Sequence, residues 1–317
     1  MSFAQVYTRS VVGLNAPSVM VEVHLSQGLP AVTIVGLPEA AVRESKDRVR
    51  SAIINAGFSF PNRRLTINLA PADLPKDGAR LDLPIAIGIL AASGQLDDSQ
   101  LAGYELIGEL ALNGELRPVT GALAVARAIK SDNKQPRQLI LPLANAQEAA
   151  QVDGVSVLPA EHLKTVCQHL QGDTPITPAV HRARYQVNHY RVDLADVKGQ
   201  QQARRALEIA AAGGHSLLFC GAPGTGKTLL ASRLPTILPP LSDDEALEVA
   251  SIYSIANADY TYGTRPFRQI HHTTSAVALV GGGSSPRPGE ITLANQGVLF
   301  LDEIAEFDRK VLEVLRQ

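Results

Sequence analysis

The first part of the chain alternates between two spacings of apolar residues. Apolar and polar positions alternate over residues 18–25, 31–35 and 65–69, which predicts three half-buried strands. Apolar positions three to four residues apart, with charged residues between them, predict a helix from about Pro38 to Asn55. A nearly unbroken apolar run predicts a fully buried helix over about 81–93. Strands and helices are therefore mixed from the start of the chain.

The same two spacings continue downstream. Residues 104–112 and 139–142 are predicted as strands, and residues 120–130 as a helix between them. No stretch of this region repeats another. The pattern predicts a mixed α+β domain over residues 1–170.

A glycine-rich motif dominates the second half of the chain. Residues 221–228 fit the pattern G-x-x-x-x-G-K-[S/T] of a phosphate-binding loop. Residues 216–220 are apolar and are predicted as a short buried strand, and the chain from Leu229 onward is predicted as a helix that continues until Pro235. A strand before the loop and a helix after it form the setting that such a motif requires.

The residue types of the loop explain its chemistry. Glycines let the backbone turn so that successive N–H groups face an anion, Lys227 can reach the β- and γ-phosphates, and the hydroxyl of Thr228 can hold Mg²⁺. The predicted nucleotide-binding residues are Gly221, Ala222, Pro223, Gly224, Thr225, Gly226, Lys227, Thr228 and Leu229. The alternative is a glycine-rich turn that binds nothing.

Two adjacent carboxylates follow a second apolar segment. Residues 297–301 are predicted as a strand that ends in Asp302 and Glu303. Behind a phosphate-binding loop, we expect Asp302 to bind Mg²⁺ and Glu303 to deprotonate the attacking water. The alternative is a helix that begins with acidic residues. The Asp-Glu pair favours ATP hydrolysis over a GTP switch, so the predicted cofactors are ATP and Mg²⁺.

The histidine pair His271-His272 lies between these two motifs. Adjacent side chains on a strand point to opposite faces, and no third ligand is evident in the sequence. We therefore expect no metal site at these histidines.

Composition places the chain among ordinary soluble proteins. It has 317 residues, 45% hydrophobic and 19% charged, with a net charge of −2, which leaves no general attraction to nucleic acid. The N-terminus does not resemble a signal peptide, no apolar run is long enough to span a bilayer, and Cys167 and Cys220 are predicted as buried free thiols. These features predict a cytoplasmic protein that has no membrane partner.

The connection between the two halves is predicted over residues 171–192. It begins with a Pro- and Thr-containing segment, which indicates an irregular linker. Residues 181–191 then mix arginines, tyrosines and histidines. Such a mixture is able to bind nucleic acid, but a solvated strap between domains is the favoured interpretation.

Two segments of the first half resemble the proteolytic domain of Lon. They are Pro75-Lys-Asp-Gly78 and the glycine-containing stretch from Gly108 to Gly121. The resemblance implies a fold like the second domain of ribosomal protein S5. In Lon a serine follows the first segment and a lysine belongs to the second, whereas this chain has Arg80 and Leu123 at those places. The resemblance therefore implies a Lon-like domain that is not a peptidase.

The second half resembles the magnesium-chelatase-like AAA+ ATPases. The resemblance rests on the phosphate-binding loop together with R-P-F-R-x-x-H-H-T from Arg265, G-G-G-S-x-P-R-P-G-E from Gly281 and G-V-L-F-L-D-E from Gly297. The Lon-like first half narrows it to the ComM/YifB type. This resemblance implies an incomplete α/β P-loop AAA+ module over residues 193–317, in which Asp196, Val197 and Gly199 pack on the adenine.

What the family does is also implied by resemblance alone. The ComM/YifB type implies a homo-hexameric ring with a pore-lining insertion, driving branch migration of DNA in recombination or natural transformation. AAA+ modules continue beyond the position of Gln317 with a sensor residue, an arginine finger and a helical lid, so we expect a C-terminally truncated chain with weak or no ATPase activity. The predicted partners are ATP, single-stranded or branched DNA, and further copies of the protein.

Three functions remain open at this stage. The first is an ATP-dependent helicase or translocase that acts on DNA. The second is an AAA+ protein remodeller or a chelatase-type ATPase partner. The third is an N-terminal binding module beside an inactive motor.

Overall fold

The computed structural model describes residues 2–76, 78–132, 137–180, 190–282 and 287–315. The chain divides into two compact units, residues 1–183 and 184–317. The finer limits 1–170, 171–192 and 193–317 stay a prediction. In the described ranges, no helix has the length and apolar character needed to cross a membrane.

The first unit contains nine strands and five helices in the described part of the chain. The strands are β1 (Phe3–Arg9), β2 (Ser18–Ser26), β3 (Ala31–Val35), β4 (Arg64–Ala70), β5 (Tyr104–Leu106), β6 (Glu109–Leu110), β7 (Leu116–Arg117), β8 (Gln138–Pro142) and β9 (Val157–Ala160). The helices are α1 (Ala40–Asn55), α2 (Asp82–Ala92), α3 (Ala122–Ser131), α4 (Ala146–Ala149) and α5 (Leu163–Leu170).

Seven of these strands form one mixed sheet in the order β3-β4-β2-β1-β5-β8-β9. Strand β2 is antiparallel to both β1 and β4, whereas β3–β4, β1–β5, β5–β8 and β8–β9 are parallel pairs. Strand β1, which comes first in the chain, therefore lies in the middle of the sheet. The short strands β6 and β7 form a separate antiparallel pair.

Helix α2 forms the centre of the core of this unit. All of its residues are buried, and it packs against β1, β2 and α1. Gly88 permits the close approach, because a Cβ atom at this position would lie 2.6 Å from Cγ2 of Val23. The predicted apolar stripe of α1, which includes Val42, Val49 and Ile53, is buried against the same core. The mixture of helices and strands predicted for this unit is confirmed.

Two ion pairs, each with a buried carboxylate, link distant parts of the first unit. Arg9 of β1 contacts Glu105 of β5 through two hydrogen bonds, Nε–Oε2 at 2.6 Å and Nη2–Oε1 at 3.0 Å. Arg48 of α1 pairs with Asp82 at the start of α2, with Nε–Oδ2 at 2.9 Å. Burial raises the pKa of Asp82 to about 6, although the hydrogen bonds and charge of Arg48 act in the opposite direction.

The second unit is described over residues 190–282 and 287–315. Its helices are α6 (Gln201–Gly213), α7 (Lys227–Ala231), α8 (Leu234–Ile237), α9 (Asp243–Ala256), α10 (Ala276–Val280), α11 (Glu290–Leu293) and α12 (Arg309–Val314). Its strands are β10 (Phe267–Ile270), β11 (Gly281–Gly282), β12 (Arg287–Pro288) and β13 (Val298–Leu301).

Strands β10 and β13 form a parallel pair, with Phe267 beside Val298 and Ile270 beside Leu301. Their carboxyl ends therefore meet at one edge. Gly297, directly before β13, lies close to the residue before β10, since a Cβ atom there would collide with the carbonyl oxygen of Pro266. One small core cluster surrounds this pair and includes the α10 residue Leu279.

Most of the helices and strands predicted for the first unit are confirmed, and one predicted strand is divided into two. Residues 104–112 were expected to form one strand, but they form β5 and β6 on either side of Ile107-Gly108. The backbone N–H of Gly108 donates to the carbonyl oxygen of Arg80, and its carbonyl oxygen accepts from the N–H of Leu83. These two bonds turn the chain toward α2 and end the first strand.

Candidate nucleotide-binding site

The glycine-rich loop lies directly before α7. Gly224 and Gly226 have φ values of 80° and 86°, a backbone region that favours glycine. The Thr225 hydroxyl donates to the carbonyl oxygen of Ala222 at 2.9 Å, which closes the turn on itself. The loop from Gly221 to Thr225 is exposed to solvent. Its backbone is therefore accessible to a ligand.

Lys227 is the first residue of α7, and its ammonium group turns back onto the loop. Nζ donates to the carbonyl oxygens of Gly221 at 2.9 Å and Ala222 at 3.0 Å. Thr228 and Leu229 follow, and both are exposed. The motif thus brings one cation and one hydroxyl to the same end of a short helix.

The segment before the loop differs from its prediction. Residues 216–220 were expected to form a short buried strand, but they have no strand assignment. Leu217 and Leu218 are 38% and 69% exposed, and Cys220 is exposed rather than buried. A strand needs a hydrogen-bonded neighbour, and none of the described strands pairs with this segment. The helix after the loop is also shorter than predicted, since α7 ends at Ala231 and Pro235 lies in α8.

The turn predicted to contact adenine is linked to the glycine-rich loop by a hydrogen bond from the residue that follows it. Val197 is buried in a small cluster with Leu194, Leu207 and the α7 residue Leu230. The carboxylate of Asp196 accepts from the backbone N–H of Asp193 in a capping box. Gly199 has a φ of 69°, and the following residue reaches the loop because Gln200 Nε2 donates to the Thr225 carbonyl oxygen at 3.1 Å.

The two predicted catalytic carboxylates lie directly after β13. Asp302 Oδ2 accepts from Gln269 Nε2 at 3.2 Å, and its backbone N–H donates to the Ile270 carbonyl oxygen. Glu303 has a φ of 55°, a left-handed conformation that costs a residue other than glycine about 1–3 kcal/mol. This turn places the Glu303 carboxylate on the side of β10, with Oε2 at 3.5 Å from His272 Nδ1.

The histidine pair differs from its prediction. His271 and His272 were expected to point apart, but their ring centroids are 4.0 Å apart. Strand β10 ends at Ile270, so the alternation of an extended chain does not apply to these residues. Glu303 is a third residue with a potential ligand atom in this region, because its carboxylate lies with both imidazoles in one cluster.

Two arginines of the R-P-F-R motif hold this region together. Arg265 donates to the carbonyl oxygens of Pro239 and Gln296, each at 2.6 Å. Arg268 forms a bidentate ion pair with Glu290, at 2.6 and 2.8 Å. Both arginines therefore connect segments of this unit that are distant in sequence.

Some sequence predictions fall outside the described residues. These are Asp77 of the Lon-like segment, residues 283–286 of the glycine- and proline-rich motif, and residues 181–189 of the basic, aromatic linker segment.

Comparison with known proteins assigns the family. A model for magnesium chelatase subunit ChlI matches residues 193–317, and a model for subunit ChlI of Mg-chelatase matches residues 21–145. The chain is 53% identical over its whole length to YifB of Escherichia coli, which is described as uncharacterised, and 52% identical to the competence protein ComM of Haemophilus influenzae. The chain belongs to the magnesium-chelatase-like family that includes YifB and ComM. It spans 62% of the length of that YifB and 63% of that ComM.

A more distant similarity links this family member to Lon. The chain is 23% identical to Lon protease 2 of Bacillus subtilis over 185 residues, which are 52% of this chain and 32% of the protease. At the positions where the Lon resemblance places a serine and a lysine, Arg80 donates to the Thr120 hydroxyl at 3.3 Å and Leu123 is fully buried in α3. Neither side chain is a nucleophile or a base.

Proposed function

We propose that the second unit is the nucleotide-binding part of an AAA+ ATPase that hydrolyses ATP with Mg²⁺. The observation that carries this proposal is the complete phosphate-binding motif, with its loop accessible and Lys227 directed onto it. The family match over residues 193–317 supports the same conclusion. The chain covers part of the length of its relatives, so the activity of the whole protein belongs to the proposal as well.

The residues of the loop fit a nucleotide and its metal. Backbone N–H groups of residues 221–222 and 224–226 would hold the phosphates, since Pro223 has no N–H. Lys227 would exchange its two carbonyl partners for phosphate oxygens. A hydroxyl and a carboxylate are the oxygen ligands that Mg²⁺ prefers, which suits Thr228 and Asp302. When bound, Mg²⁺ neutralises charge on the β- and γ-phosphates.

We assign the role of general base to Glu303. Its carboxylate follows the strand that ends in Asp302, and the left-handed turn keeps it exposed and directed to the side of β10. Water activation requires a carboxylate within hydrogen-bonding reach of the attacking water.

The proposed adenine contacts come from the turn before α6 and from Leu229. Asp196 uses its carboxylate in a capping box, and Val197 is buried behind α7. The turn at Gly199, next to the Gln200 bond to Thr225, is the part of this segment best placed for adenine. Leu229 remains a proposed contact because its side chain is exposed directly after the loop.

For the whole protein we propose an ATP-driven motor on DNA, acting as a cytoplasmic homo-hexamer in helicase or branch-migration reactions. The name of the H. influenzae relative, a competence protein, supports a role in natural transformation. An AAA+ protein remodeller or a chelatase-type partner is the second candidate, favoured by the ChlI models that match both units.

We further propose that the first unit has the Lon-like, S5-related fold without peptidase activity. The similarity to Lon protease 2 supports the fold. The positions of Arg80 and Leu123 support the loss of peptidase activity. Peptide hydrolysis that a serine-reactive reagent inhibits would contradict this part.

The test separates binding from hydrolysis. Lys227→Ala should abolish binding of a fluorescent ATP analogue, because it removes charge-assisted bonds worth about 1.5–3 kcal/mol each. Glu303→Gln should retain binding and block turnover in the full-length protein. Lys164→Ala and Glu306→Gln are the controls, since both side chains are exposed and neither belongs to the proposed site. If Glu303→Gln hydrolyses ATP at the wild-type rate, Glu303 is not the general base.

The partner is tested separately. ATP hydrolysis by the full-length protein should rise when single-stranded or branched DNA is added, and branched DNA should be resolved. Hydrolysis that DNA leaves unchanged, without strand displacement, would reject the DNA motor and favour the remodeller.

A further inference from the structure

We propose that His271, His272 and Glu303 form a binding site for a transition-metal ion of the Zn²⁺ type. Each offers one ligand atom, and these atoms lie within 4.8 Å of one another. The parallel pairing of Ile270 with Leu301 causes this convergence, because it brings the residues that follow β10 and β13 to one edge. This site differs from the Mg²⁺ position proposed at Thr228 and Asp302.

The spacing between two of the ligand atoms already matches a tetrahedral site. Nδ1 of His272 and Oε2 of Glu303 are 3.5 Å apart. Metal–ligand bonds of about 2.0–2.2 Å at tetrahedral angles place neighbouring ligand atoms about 3.4 Å apart. Nδ1 of His272 is also buried and forms no hydrogen bond within the described structure. A buried nitrogen in this state is costly, and a metal bond would satisfy it.

His271 is oriented by a neighbour in the manner of a metal ligand. Its Nδ1 lies 3.1 Å from the Thr273 hydroxyl oxygen. With the proton on Nδ1 and donated to Thr273, the lone pair of Nε2 is free for a metal. Metal-binding histidines commonly donate their second N–H in this way, which fixes the ring and its tautomer. His271 is exposed, so a small side-chain rotation can bring it to bonding distance.

The donor atoms select the class of metal. Two imidazoles and one carboxylate suit Zn²⁺ and similar ions, whereas Mg²⁺ prefers a shell of oxygens. Two neutral imidazoles and one carboxylate leave a bound divalent ion with a net charge of +1. Three protein ligands also leave a fourth position open to water.

Metal binding has a consequence for hydrolysis, and this consequence rests on the proposed function. A Glu303 carboxylate bound to Zn²⁺ is not available as a general base. Zn²⁺ would then inhibit hydrolysis and leave nucleotide binding at the loop intact. The binding site itself does not depend on ATPase activity.

The experiment measures Zn²⁺ affinity by competition with a chromogenic chelator and uses protein without an affinity tag. Excess Mg²⁺ is present so that it occupies the oxygen-rich sites. We expect one Zn²⁺ per chain, and visible absorption typical of four-coordinate Co²⁺ when Co²⁺ replaces it. His271→Ala should lower the affinity by about tenfold or more, which is at least what the loss of an orienting contact costs. Because His271 is exposed, this variant is expected to fold. His215→Ala, at an exposed histidine of the same unit, should bind as the wild type does.

Two further variants complete the test. His272→Ala and Glu303→Gln should each weaken Zn²⁺ binding, with circular dichroism as the check on folding. Equal affinity in the wild type and His271→Ala, or an equal loss in His215→Ala, overturns the site. Zn²⁺ binding by a full-length protein that has no ATPase activity would reject the proposed function and retain the site. ATPase activity of the full-length protein that Zn²⁺ never inhibits would reject the link between them.

Discussion

The buried ion pair between Arg9 and Glu105 offers a sharp test of the first unit. Both side chains are almost inaccessible, 5% and 1% exposed. Breaking a buried pair by removing one partner costs about 3–5 kcal/mol, because the other charge stays buried. Glu105→Gln retains one acceptor oxygen, and Arg9 keeps bonds to Ala16 at 3.1 Å and Asp132 at 3.2 Å. We therefore expect the lower end, about 3 kcal/mol.

Arg137 adds to this expectation. Its Nη1 lies 3.5 Å from Glu105, and its guanidinium stacks 3.7 Å from the centroid of the Tyr7 ring. The neutral amide of the Glu105→Gln variant would remove the carboxylate charge that faces both arginines. The expected loss corresponds to an increase of about 150-fold in the opening equilibrium of β1 and β5, at tenfold per 1.4 kcal/mol.

Hydrogen–deuterium exchange of peptides from β1 and β5 measures this opening. Glu109→Gln is the control, because Glu109 pairs with the largely exposed Arg117 at 3.5 Å and such pairs contribute about 0–1 kcal/mol. An effect of Glu105→Gln no larger than that of the control would refute the reasoning. A double replacement, Arg9→Met with Glu105→Leu, should cost less than the sum of the single replacements, since neither member of this buried pair is left without the other.

Two other predictions concern pH and packing. The folded pKa of Asp82, about 6, lies above its ordinary value of 3.8. The stability that protonated Asp82 contributes is therefore complete below about pH 4 and is lost as the pH rises through 6. The urea midpoint of unfolding should depend less on pH between these values in Asp82→Asn than in the wild type. The same pH dependence in both proteins would contradict the pKa shift. Gly297→Ala should destabilise the β10–β13 pair by about 1–3 kcal/mol, because its Cβ meets the Pro266 carbonyl. Exchange of β10 and β13 peptides measures this against Gly103→Ala, where no atom lies within 4 Å of the added Cβ, and equal exchange in both variants would contradict it.

The sequence was sufficient where one face of an element carries large apolar side chains. Strands β2 and β4 and helix α1 have such faces, and their positions were predicted within a few residues. Strand β1 was not predicted, because its buried face contains Ala4, Val6 and Thr8 whereas Phe3 is exposed. The periodic signal is weak when small residues are buried and an aromatic residue is not.

The candidate site shows a different limit. The loop and the two carboxylates were identified from local spacing, since the chemistry of each requires neighbouring residues. The segment 216–220 has the apolar composition of a strand, but composition does not supply the neighbour that a strand requires. The cluster at His272 depends on where β10 ends and on the left-handed turn at Glu303, and residue spacing determines neither.

The central position of β1 has a consequence for synthesis on the ribosome. Residues 3–9 emerge before the other strands of this sheet, and β2, β3 and β4 complete one half of the sheet by Ala70. The other edge of β1 has to wait for β5, which emerges about 5–20 s after β1 at about 5–20 residues per second. During this interval the nascent chain presents a strand edge without a hydrogen-bonded neighbour. Arg9 also lacks its ion-pair partner Glu105 until β5 is synthesised. A chaperone or the ribosome surface that covers this edge would protect the half-sheet from pairing with another nascent chain.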